Sequence, residues 1–152
     1  MLVVDTCVLI DVAENDPIFG RTSALCLAKH LDHDLAISPV SYVEIAPLFD
    51  GSVRRLEEFL EGVGVRRDEL FELPDRNAAF AAWARHISAK RAGTVRRRPV
   101  ADALIGALAM RGEGIITRNG SDFISLYPGI RVIDPTKAKK VEGSKRRKLS
   151  RS

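Results

Sequence analysis

The chain opens Met1-Leu2-Val3-Val4-Asp5, an apolar run with two β-branched residues that stops on a carboxylate. A strand with one wet face alternates apolar and polar residues. An unbroken run therefore reads as a strand over 2–5, buried on both faces, with its carboxyl end at the surface. Such a strand needs helices above and below it, and the sequence supplies them. Pro17 stands at the expected first turn of a helix in which Ala24, Leu25, Leu27, Ala28 and Leu31 recur at helical spacing. Leu35-Ala36-Ile37-Ser38 reads as a second strand. Ser41 to Glu44, followed by Ile45, Leu48 and Phe49, predicts a helix start that Pro47 should kink or shorten. An amphipathic helix is expected at about 52–62, with Val53, Leu56, Phe59 and Leu60 on one face, while 63–73 is ambiguous between strand and loop. A long helix at about 75–92 stops near Gly93, and Pro99 opens a nearly all-apolar helix through Met110. Gly114-Ile115-Ile116-Thr117 and Ile130-Arg131-Val132-Ile133 complete the strands. Strands alternating with helices predict an α/β fold around a parallel sheet.

The 152 residues fit one domain, long enough to hold a core without disulfide or structural metal. Cys7 and Cys26 both lie in apolar stretches and read as reduced residues of an intracellular protein. No signal-peptide pattern and no uncharged apolar run near the ~20 residues of a membrane span occurs, so no membrane association and a cytoplasmic location are expected. The formal charge of +4 divides unevenly. Residues 136–152 hold eight basic residues and one acid, Glu142, whereas 1–135 holds 16 basic and 19 acidic residues. The body is slightly acidic. The tail supplies the whole positive surplus and, lacking aromatics and apolar periodicity, reads as disordered. Within the body, the span between Asp75 and Asp102 has no acid and seven basic residues, among them Arg96, Arg97 and Arg98.

Ligands of parallel α/β sheets bind at the carboxyl ends of the strands. Four carboxylates are expected on that rim: Asp5 closing the first strand, Glu44 in the first turn after the second, Asp102 in the first turn after Pro99, and Asp122 one loop beyond Ile115-Ile116-Thr117. Each has a structural alternative. Ser41-Tyr42-Val43-Glu44 is a capping box, Asp102 complements a helix dipole, and Asp122 suits a turn or cap. Asp5 and Asp102, however, are embedded in core-like sequence, where an uncompensated charge is costly. Carboxylates without thiolate or imidazole neighbours favour a hard divalent cation, Mg²⁺ or Mn²⁺, over zinc, and no H-E-x-x-H spacing accompanies His30, His33 or His86. The chemistry that follows is metal-assisted hydrolysis of a phosphodiester.

VVDTCVLID, SYVEIAPLF, RPVADALIGALA and ITRNGSDF, in this order, resemble the PIN-domain ribonucleases, in particular the VapC-type toxins of toxin–antitoxin pairs, over about residues 1–134. The resemblance implies a Rossmann-like α/β/α domain with a central parallel sheet over 1–135, followed by the basic tail at 136–152. It implies a Mg²⁺- or Mn²⁺-dependent endoribonuclease whose acidic cluster is Asp5, Glu44, Asp102 and Asp122. Thr6, Thr117 and Asn119 match polar positions beside that cluster. Arg96, Arg97 and Arg98 are candidates to guide RNA phosphates. A cognate antitoxin and a homodimer are implied as partners. Three departures stand out: Cys7 where relatives carry Asn or Ser, Pro47 inside a usually regular helix, and the tail, which lies outside the resemblance. The competing reading is a non-catalytic RNA- or partner-binding module that acts through its basic tail. An aspartyl-phosphate enzyme is disfavoured, because it would want an Asp where Cys7 stands.

Overall fold

A computed structural model describes residues 1–89 and 100–137. Strands β1 (Leu2–Val4), β2 (Leu35–Ala36), β3 (Gly114–Ile116) and β4 (Val132–Ile133) form one sheet in the order β2-β1-β3-β4, all parallel. Leu2, Val3 and Val4 are fully buried, as an apolar run covered on both faces requires. Residues 63–73 resolve into an isolated bridge between Ala36 and Arg66, which extends the β2 edge, and then loop.

Seven α-helices flank the sheet among the described residues: α1 (Thr6–Ala13), α2 (Gly20–Lys29), α3 (Pro39–Glu44), α4 (Val53–Val63), α5 (Leu73–Ala89), α6 (Val100–Arg111) and α7 (Gly120–Leu126). Two apolar cores lie on opposite faces of the sheet. One joins Leu2, Val4, Leu9, Leu27, Leu60 and Ile116; the other joins Val3, Ile105, Leu108, Ile115, Phe123 and Tyr127. Alternation along β1 thus sends Val3 to one core and Leu2 and Val4 to the other. Among the described residues, no helix is long and apolar enough to cross a membrane.

Several sequence expectations change in detail. The strand expected over 2–5 ends at Val4, because Asp5 turns the chain and caps α1, a helix the periodicity did not reveal. The helix expected from Pro17 begins at Gly20. The expected capping box does not form. Ser38, not Ser41, caps α3, its hydroxyl accepting from the Ser41 N–H, and Glu44 stands at the last residue of the helix rather than in its first turn. Pro47 acts as anticipated: α3 stops at Glu44, and a 3-10 turn over Ala46–Phe49 follows with the proline near its start. A short helix, α7, occupies the segment expected to be a turn around Asp122.

Candidate functional site

Asp5 anchors the site. Its carboxylate sits where β1 gives way to α1, only 6% exposed, and accepts three hydrogen bonds: from the Thr6 N–H at 2.8 Å, the Cys7 thiol at 3.2 Å and the Thr117 hydroxyl at 2.7 Å. All three donors are neutral. Burial pushes the Asp5 carboxyl above the usual range; the bonds from Thr117, Cys7 and Thr6 pull it back, and the negative charge of Glu44 pushes it up again. The Cys7 thiol is itself pushed up to about 12 by burial and then by the Asp5 charge, so it remains a protonated donor. It is a weak donor, and it donates to the carboxylate beside it.

Glu44 arrives from the end of α3. Its Oε2 accepts the Thr6 hydroxyl at 2.5 Å, so Thr6 links both carboxylates: its N–H holds Asp5 and its side chain holds Glu44. Thr117 follows β3, is fully buried, and accepts the Asn119 N–H at 3.0 Å while donating to Asp5. Thr6 and Thr117 therefore touch the carboxylates directly, whereas Asn119 is joined to the site through its backbone.

Asp102 lies in the first turn of α6, which packs against β1 and α3, and Asp122 lies exposed in the first turn of α7, its N–H bonded to the Asn119 carbonyl. Among the described residues, no three His, Cys, Asp or Glu side chains converge as the ligands of one ion. The structure thus brings Asp5 and Glu44 together through Thr6, and places Asp102 and Asp122 in the first turns of α6 and α7. Two carboxylates and hydroxyl oxygens nonetheless fit a hard cation, since Mg²⁺ is commonly held by one or two carboxylates with water and substrate phosphate filling the rest. Arg96, Arg97 and Arg98 lie outside the described residues.

One functional neighbour escaped the sequence reading. Asp11, 2% exposed on α1, receives Arg118 Nε at 2.7 Å and Nη2 at 2.9 Å, and the Ser23 hydroxyl at 2.8 Å. The Arg118 guanidinium also lies 4.0 Å from the centre of the Phe19 ring. Asp11 and Arg118 are 107 positions apart; they fall within VVDTCVLID and ITRNGSDF, but nothing in either segment pairs the two.

The PIN-domain family model matches residues 2–127, and the chain belongs to the PIN-domain family. Among solved structures, it is similar to a chain of FitAB bound to an IR36 DNA fragment, with 15% identity, 93% of this chain and 99% of that one covered, and a TM-score of 0.65. It is also similar to a chain of FitAcB from Neisseria gonorrhoeae, with 17% identity, 91% and 100% covered, and a TM-score of 0.62. At these identities the likeness is one of fold. No curated protein matches the chain.

Proposed function

We propose that the protein is a metal-dependent endoribonuclease and the toxin of a type II toxin–antitoxin pair, acting in the cytoplasm and held in check by a cognate antitoxin. The observation that carries this reading is Asp5: a buried carboxylate at the end of a parallel strand, faced by Glu44 and compensated only by neutral donors. Family membership supports nuclease chemistry, and the FitAB and FitAcB likenesses support the toxin–antitoxin setting.

Asp5 and Glu44 would hold Mg²⁺ or Mn²⁺, with Asp102 and Asp122 completing the set directly or through water. When bound, such an ion polarises a phosphoryl oxygen and lowers the pKa of coordinated water. Thr117 and Cys7 fix the Asp5 carboxylate, and Thr6 fixes Glu44 against it, so neither acid has to be ordered when substrate arrives. No histidine is assigned as general base.

A homodimer suits the outer face of α5, where Leu73, Phe80 and Ile87 recur every seven residues and Phe80 is 76% exposed. Phe80→Glu should then give a monomer by light scattering. The nuclease reading is tested by RNA cleavage with and without EDTA, comparing wild type with Asp5→Asn. Metal-dependent activity retained by a pure Asp5→Asn preparation would sink it.

A further inference from the structure

The open edge of the sheet carries cations with little acid beside them. β4 has a hydrogen-bonded neighbour on one side only, and two cavities flank it: one of about 730 Å³ towards α7 and one of about 410 Å³ towards α2. Arg131 and Lys137 line both cavities, and Lys29 of α2 lines the second. Arg118 borders the first, but its charge is committed to Asp11. The only acid lining either cavity is Asp134, which already accepts the Thr136 N–H and hydroxyl and meets Lys137 loosely at 3.8 Å. Arg131 and Lys29 have no carboxylate partner among the described residues. Three cations thus face one largely satisfied acid.

The register says where this groove leads. Ile116 pairs with Ile133, so Asp134 stands level with Thr117, which bonds Asp5. The groove therefore opens at the candidate catalytic rim and runs back along β4 to Arg131. From Arg131 to Asp134 is roughly 10 Å of extended chain, so its cations are strung out rather than gathered around one phosphate. No Phe, Tyr or Trp lines either cavity, and His30 is the one aromatic ring that borders the second.

We propose that the β4 edge, through Lys137, Arg131 and Lys29, is a sequence-independent track for the phosphates of a single RNA strand running away from the catalytic rim. That this strand is RNA, and that it is the substrate, rests on the nuclease reading; the groove's attraction for a phosphate backbone does not. Phosphate contacts of this kind set register and affinity without selecting bases.

The test measures fluorescence anisotropy of labelled oligouridylate with the full chain carrying Asp5→Asn, so that nothing is cleaved, and with the same chain also carrying Lys29→Ala and Arg131→Ala. Both added substitutions are at surface positions outside the cores. The expected result is a roughly tenfold loss of affinity and a salt dependence flattened by about 1.4 in log K against log salt, from two lost phosphate contacts. Unchanged affinity and slope would overturn the proposal. It would also be overturned if polyglutamate of matched charge bound as tightly as oligouridylate and with the same sensitivity, marking the edge as a face for an acidic protein. Failure of wild type to cleave any RNA would remove the nuclease reading while leaving the affinity comparison standing.

Discussion

Asp5 and Asp11 stand six positions apart on one segment, both buried, yet they are provided for in opposite ways. Asp11 is met by a two-pronged Arg118 and by Ser23, so its charge is neutralised within the fold. Asp5 has the same number of hydrogen bonds, but each comes from a neutral group, and its nearest charged influence is another acid, Glu44. A chain that can provide an arginine for one buried aspartate and withholds it from the next leaves the second acid available to a cation from outside. The contrast separates a carboxylate that holds the structure from one that is held by it.

Three substitutions and one titration probe that contrast. The largest effect is expected from Asp5→Asn, which should lower the rate of metal-dependent RNA cleavage by at least about a hundredfold while the circular dichroism spectrum stays native. Arg118→Ala should leave Asp11 buried and unpaired, costing about 3 kcal/mol of stability by denaturant titration. If it costs nothing, Asp11 is not the structural member of the pair. Smaller is Thr6→Val, expected to reduce cleavage roughly tenfold by releasing Glu44, with little change in melting temperature.

The titration has a definite sign. A folded-state pKa raised above the unfolded value means that Asp5 destabilises the metal-free fold once it ionises, and that this penalty is absent below the unfolded value of about 3.9. Metal-free Asp5→Asn should therefore melt higher than wild type near neutral pH, with the gain shrinking as the pH falls towards that value. Added Mg²⁺ should raise the melting temperature of wild type and not of the variant. A variant less stable than metal-free wild type at neutral pH would show that Asp5, like Asp11, is a structural acid.

What the sequence made legible was what lies close together along it. Leu2-Val3-Val4 announced a buried strand because its burial follows from three consecutive residues, and the resemblance located Asp5 and Glu44 because their motifs are contiguous. The Ser41/Glu44 pair misled because a capping box and a helix-end carboxylate share one spacing; Ser38, also three residues before a potential partner, was the real cap. Helix α1 leaves little sequence signal because it is short and nearly all apolar, and its N-cap, Asp5, is also the residue that ends the strand pattern. Neither the Thr117 bond to Asp5 nor the Arg118 pair with Asp11 leaves any local trace, since each spans more than a hundred positions.

That span sets a clock on synthesis. Thr117 leaves the ribosome 112 residues after Asp5, a delay of roughly 6–20 s at 5–20 residues per second. Throughout that interval Asp5 lacks its Thr117 donor and α1 lacks the arginine that pins it to the end of β3. A nascent chain therefore carries Asp5 and Glu44 without the framework that positions them, and the centre can assemble only after Thr117 and Arg118 have been made.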